Sequence, residues 1–173
     1  MADHLEVMES YASDRLGMAR FALIMVFLIE QRWRYVIEKE LESDGITPNQ
    51  WLMIIVISAG FRHPPSIQEV ADALSTTHQN VKQIASGLER RGLMTLTRDP
   101  GNRRIIRLAV TEQCHALFER REPEDVKSIA ALFENLSDDE MKALFGIIAR
   151  MESQADALYK AARKGRHEKQ GEN

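Results

Sequence analysis

The side chains best suited to chemistry fall into two groups, His78, Gln79, Asn80, Lys82 and Gln83, then Arg98, Asn102, Arg103 and Arg104. The first group offers amides, an imidazole and an ammonium without a carboxylate, a set that fits base edges and phosphate oxygens in duplex DNA. The second is mostly guanidinium, whose forked donors match phosphate. Residues 76–107 hold seven Lys or Arg against Glu89 and Asp99, a net of +5 in a chain of 173 residues whose formal charge is −3. An acidic chain that gathers cations on one stretch uses them locally, because phosphate contacts dominate nucleic-acid affinity.

The elements around these residues must position them. Ser66-Ile67-Gln68-Glu69 has the form of a capping box, and Ile67, Val70, Ala71 and Leu74 follow at helical spacing. Ser75-Thr76-Thr77 breaks that pattern. Thr77 then caps a second helix whose apolar stripe is Val81, Ile84, Ala85 and Leu88, leaving the polar group above outside together with Ser86, and Thr76 and Thr77 at its start join that group as candidate DNA contacts. Two short helices across a three-residue break predict a helix-turn-helix. Arg90-Arg91-Gly92-Leu93 ends the second helix, with Gly92 free to adopt the left-handed cap. Met94–Arg98 and Ile105–Val110 read as strands joined by the turn residues Asp99-Pro100-Gly101-Asn102, so the hairpin carries Arg98, Arg103, Arg104 and Arg107 on or beside its tip.

From Ile46 to Thr111 the chain resembles the MarR family of bacterial transcription regulators. The resemblance lies in Ile46-Thr47-Pro48-Asn49-Gln50-Trp51, Glu69-Val70-Ala71, Leu74, Val81, Leu88-Glu89-Arg90-Arg91-Gly92-Leu93, the Arg-rich wing and Val110-Thr111. It implies a homodimer with interlocked terminal helices, and two winged lobes on a pseudo-palindromic operator in double-stranded DNA. It also implies repression relieved by a small aromatic or amphipathic effector or by thiol oxidation. Two departures stand out. The family's wing is braced by an Asp-x-Arg pair, where this chain has Asn102-Arg103-Arg104, which predicts a tip held less firmly. Cys114 stands where Gly is common.

The expected fold is mainly α with a small β-hairpin wing. An N-terminal dimerisation helix occupies residues 1–47, the winged lobe 48–111 and C-terminal dimerisation helices 112–163, with a disordered tail over 164–173. The first helix, from about Asp3 to Leu41, carries Leu16, Ala19, Leu23 and Val26 in one stripe, with Phe21, Phe27 and Leu28 beside it. So much apolar surface needs cover on more than one side. Helices are expected from Thr111 to Glu122, ended by Pro123, and from about Glu124 to Leu136. Ser137-Asp138-Asp139-Glu140 opens a last helix on which Leu144, Ile148, Met151, Ala155 and Leu158 alternate four- and three-residue steps, the periodicity of helices packed on helices.

The apolar run Phe21 to Ile29 is far short of the roughly 20 residues a membrane span needs, and the N-terminus lacks a signal pattern, so a cytoplasmic chain with no membrane partner is expected. Neither an enzyme nor a metal or cofactor site is expected. The five His residues show no ligand spacing, a single Cys builds no thiolate site, and there is neither a phosphate-binding Gly loop nor a nucleophile elbow. Cys114 reads first as a small buried hydrophobe, with a redox-sensing thiol as the alternative. Trp33, Arg34, Trp51 and Phe61 combine aromatic faces with one cation and are the candidates for an effector pocket; Trp51 and Phe61 also read as core, and for Trp51, which shares helical spacing with Ile54, Ile55 and Ser58, core is the stronger reading. The competing reading of the whole chain is a winged-helix module that binds a partner protein.

Overall fold

The computed structural model describes residues 14–171, with side chains as far as residue 164. The chain forms two compact units, one ending at Leu52 and one beginning at Met53.

The first unit is built on α1 (Arg15–Leu41). Asp14 is extended and its Oδ1 accepts from Gly17 N at 2.8 Å, so the helix starts at Arg15 and does not run unbroken from Asp3; residues 3–13 of the expected helix lie outside the described residues. A short 3-10 turn (Glu42–Asp44) and left-handed Gly45, φ 63°, reverse the chain. Helix α2 (Pro48–Gly60) then begins. Its cap is reciprocal, since Gln50 N donates to Thr47 Oγ1 at 3.3 Å and Thr47 N donates to Gln50 Oε1 at 3.1 Å.

In the second unit α3 (Ile67–Ala73) and α4 (His78–Arg90) form the helix-turn-helix, and β1 (Met94–Arg98) and β2 (Ile106–Val110) form the wing. The strands are antiparallel, with Leu96 opposite Leu108 and Arg98 opposite Ile106. Pro65 O accepts from Leu108 N at 2.8 Å and Ser66 bridges to Arg107, so the segment entering α3 adds a third short edge to the wing. α3 packs on α4 and β2, and α4 on β1. The core is apolar throughout: Ile67, Val70 and Ala71 from α3, Val81, Ala85 and Leu88 from α4, and Met94 and Leu108 from the strands are all buried.

Both ends of this substructure close by the same device. After α3, Thr76 N donates to Ala71 O at 2.9 Å and Ser75 N to Asp72 O at 3.2 Å; after α4, Leu93 N donates to Leu88 O at 3.0 Å and Gly92 N to Glu89 O at 2.8 Å. These are paired Schellman bonds around a left-handed residue. At Gly92 (φ 71°) the residue suits the geometry, whereas at Ser75 (φ 50°) a side chain sits in a conformation that disfavours it.

Helix α5 (Glu112–Leu132) is capped by Thr111, whose Oγ1 accepts from Cys114 N at 3.2 Å and donates to Gly92 O at 2.7 Å. It departs from expectation by passing through Pro123. Proline removes one helical donor, but the acceptor it strands is the Glu119 carbonyl, and Glu119 and Pro123 are both exposed. The Arg121–Asp125 ion pair, 2.9 Å, spans the interruption. Helix α6 (Asp138–Gly171) opens on the expected box, with Ser137 N and Oγ donating to Glu140 Oε2 at 2.8 and 2.6 Å. It continues into the run read as a tail. Near its far end Arg163 Nη1 pairs with Asp72 Oδ1 of α3 at 2.8 Å.

Substituting the two left-handed positions should act oppositely in thermal or urea unfolding. Ser75→Gly should stabilise the lobe by about 1 kcal/mol, and Gly92→Ala should destabilise it by about 1–2 kcal/mol. Gln113 must also move in the second case, since a Cβ on Gly92 would lie 2.6 Å from its Oε1.

Candidate nucleic-acid interface

Helix α4 has two unlike sides. Val81, Ala85 and Leu88 are wholly buried, while His78, Gln79, Asn80, Lys82 and Gln83 are all exposed. Burying the first set is what turns the second outward. The helix start is capped, with Thr77 Oγ1 accepting from Asn80 N at 3.2 Å. Thr76, half-buried, accepts from Asn80 Nδ2 at 3.0 Å. Arg90 stands in the last turn, where a cation offsets the negative helix end.

The wing tip is organised by Asp99. Its Oδ1 accepts from Gly101 N at 2.9 Å and Asn102 N at 3.0 Å, and Ile105 O accepts from its N–H at 3.0 Å. Asn102 is part of the same turn, with Oδ1 accepting from Arg104 N at 3.1 Å and its carbonyl from Ile105 N at 2.9 Å. Its side-chain carbonyl therefore shapes the loop. Arg98 Nη1 donates to Arg103 O at 3.4 Å, and Arg103 and Arg104 are exposed.

Arg107 behaves differently from the cation expected beside the tip. Its Nε donates to Asp99 Oδ2 at 2.8 Å and its Nη1 to Glu69 Oε2 at 2.9 Å, with Pro64 O 3.4 Å from the same nitrogen. The side chain is only 27% exposed. Glu69 Oε2 also accepts from Ser66 N at 2.7 Å, so one carboxylate closes the cap of α3 and holds the wing. The tip is therefore braced, contrary to the expectation drawn from Asn102-Arg103-Arg104. The brace comes from Asp99, Arg107 and Glu69, and Arg107 belongs to the scaffold. Arg107 and the backbone N–H groups of Asn102 and Gly101 hold the Asp99 carboxyl below its ordinary range. Hydrogen bonds with Ser66 do the same for Glu69, outweighing the opposing effect of burial, with a smaller contribution from the charge of Arg107.

Cys114 is fully buried and burial pushes its thiol up, opposed only weakly by Arg91. A reactive thiolate needs the reverse, so burial favours the packing role over the redox alternative. In the first unit Trp33 and Trp51 are half-buried and Arg34 is exposed, its Nε donating to Glu30 Oε1 at 2.6 Å and its Nη1 to Asn49 Oδ1 at 3.1 Å. Phe61, in the second unit, is half-buried. A recess of about 400 Å³ runs along α5 beside Phe118, Glu119, Glu122, Val126 and Ile129, and none of those four residues lines it. Among the described residues no three His, Cys, Asp or Glu are grouped to hold a metal ion. No helix among them is long and apolar enough to cross a membrane.

A helix-turn-helix followed by a hairpin with a cationic tip, one helix presenting amides and cations opposite a buried stripe, defines a winged helix-turn-helix protein. Comparison with known proteins narrows this further. Residues 44–105 match the profile of the MarR family. The transcriptional repressor MprA of Escherichia coli (strain K12) is 26% identical over 120 residues, 69% of this chain and 68% of that protein. The crystal structure of the transcriptional regulator SlyA superposes with a TM-score of 0.70 at 18% identity, covering 80% of this chain and 96% of that one. The S. aureus MepR–DNA complex gives 0.67 at 21% identity, covering 76% and 96%. Over this lobe the chain is similar to the MarR family of transcription regulators, and it shares their winged-helix fold.

The bracket of Asp99, Arg107 and Glu69 makes the lobe sensitive to acid. Both carboxyls titrate below their ordinary values, so their stabilisation is complete above the ordinary carboxylate range, near pH 4, and is lost as pH falls through the lowered values. Urea unfolding should show a midpoint that drops between about pH 5 and pH 2, and Glu69→Gln should have a lower midpoint at pH 7 with a shallower acid dependence.

Proposed function

We propose that this chain is a homodimeric, sequence-specific transcriptional repressor that binds a pseudo-palindromic operator in double-stranded DNA. The observation that carries the reading is the exposed face of α4, Gln79, Asn80, Lys82 and Gln83, set opposite a fully buried stripe and accompanied by the exposed wing guanidiniums of Arg103 and Arg104. Amides suit base edges, and the cations suit the phosphates on either side. The names of relatives agree with it, since MprA is called a repressor and MepR was solved with DNA.

Dimerisation is supported by apolar surface that one chain leaves to water. On α1 these are Leu16, Leu23, Val26 and Phe27; on α6 they are Phe145, Ile148, Met151 and Leu158. Faces of this kind mark interaction sites. Residues 48–111 read DNA, and residues 1–47 and 112–163 join the protomers. Two lobes about a twofold axis engage half-sites about 34–36 Å apart. The protein acts in the cytoplasm and responds to a small aromatic or amphipathic effector.

Selection from a random duplex pool should enrich an inverted repeat, with affinity falling steeply as salt rises. Asn80→Ala should lose roughly 1–3 kcal/mol of discrimination at one base pair, whereas Arg104→Ala should weaken every sequence alike and reduce the salt slope by about 1. Sedimentation should show twice the monomer mass, and Phe145→Glu should reduce it. Weak, salt-insensitive binding without enrichment would support the protein-interaction reading.

A further inference from the structure

Asn80 is the third residue of α4 and is held twice. Its backbone N–H is fixed by Thr77, and its side-chain Nδ2 donates to Thr76 Oγ1 at 3.0 Å. Thr76 is itself set by the turn, because its N–H donates to Ala71 O at 2.9 Å immediately after left-handed Ser75. The hydroxyl that meets Asn80 is therefore placed by backbone geometry.

A carboxamide has two N–H donors and one carbonyl oxygen. With one N–H engaged by Thr76, Asn80 has one N–H and Oδ1 left for a partner. That pair matches one major-groove edge well: adenine, with N7 to accept and the N6 amine to donate. Holding the amide before DNA arrives also reduces the entropy lost on contact, an advantage over the longer Gln79 and Gln83.

We propose that Asn80 reads an adenine in each half-site, and that Thr76 is a positioning residue acting through Asn80 and not itself a DNA contact. This rests on the operator-binding reading above.

The test is a cycle on the enriched operator. Asn80→Ala first identifies the base pair whose preference disappears. The adenine there is then replaced by 7-deazaadenine, which keeps base pairing and the N6 amine but lacks the N7 acceptor. The wild-type protein should bind the substituted operator about tenfold more weakly. Thr76→Val should weaken binding to the adenine operator about threefold and to the 7-deazaadenine operator distinctly less, a non-additive pair. Thr76→Ser, which keeps the hydroxyl, should restore the wild-type ratio. Asn80→Asp, an acceptor without a donor and well suited to a helix start, should bring the two operators to near-equal affinity.

Thr76→Val losing the same factor on both operators would make Thr76 a direct backbone contact and overturn its positioning role. An Asn80-dependent base pair without adenine, or one indifferent to 7-deazaadenine, would overturn the base assignment. A wild-type protein that enriches no sequence would overturn the operator-binding reading itself, and this proposal with it.

Discussion

The wing keeps its place because Arg107 is shared. One guanidinium joins Asp99 at the tip, 2.8 Å away, to Glu69 on α3, 2.9 Å away, while the adjacent backbone pairs with Ser66. A two-stranded hairpin alone is marginally stable in water. Here the third edge at Pro65-Ser66 and the shared guanidinium attach it to the first helix of the pair that presents α4. The exposed side chains of Arg103 and Arg104 therefore move with the reading helix as one body. Because Glu69 also closes the α3 cap, loosening the wing and fraying α3 are linked events.

The same economy recurs along the lobe. Thr111 caps α5 and bonds Gly92 O, and Gly92 in turn ends α4. Thr77 caps α4 beside Thr76, which holds Asn80. Glu69, Thr76 and Thr111 each tie two elements together in a small lobe whose core draws on short helices. Ser75 is the strained exception, a left-handed non-glycine at the turn between the two helices.

Much of this was legible in the sequence because it depends on local rules. The boxes at Ser66 and Ser137, the Thr77 cap, the Gly92 stop and the Asp99-Asn102 turn follow from residue type and short spacing, and they fall where expected. The buried stripe of α4 follows from periodicity alone. What escaped was long-range. Glu69 was recognisable as a capping residue and Asp99 as a turn residue, yet nothing local connects either to Arg107, which lies 38 and 8 positions away along the chain. A strand position between Ile106 and Leu108 was the one available hint that this arginine was less free than those in the turn. Pro123 misled for the opposite reason: a strong local rule yielded to a helix that continues on an exposed face. The effector candidates draw on residues far apart in the chain, where spacing carries no information about proximity.

The central claim is that Arg107 holds the wing before any DNA is present. Native-state hydrogen exchange on the free protein tests it most directly, comparing the wild type with Arg107→Met. The account predicts faster exchange at the tip amides of Asp99, Arg104 and Ile105, with the interior amides of α4 unchanged. Tip exchange identical to that of the wild type would contradict it and return Arg107 to the role of a simple phosphate contact.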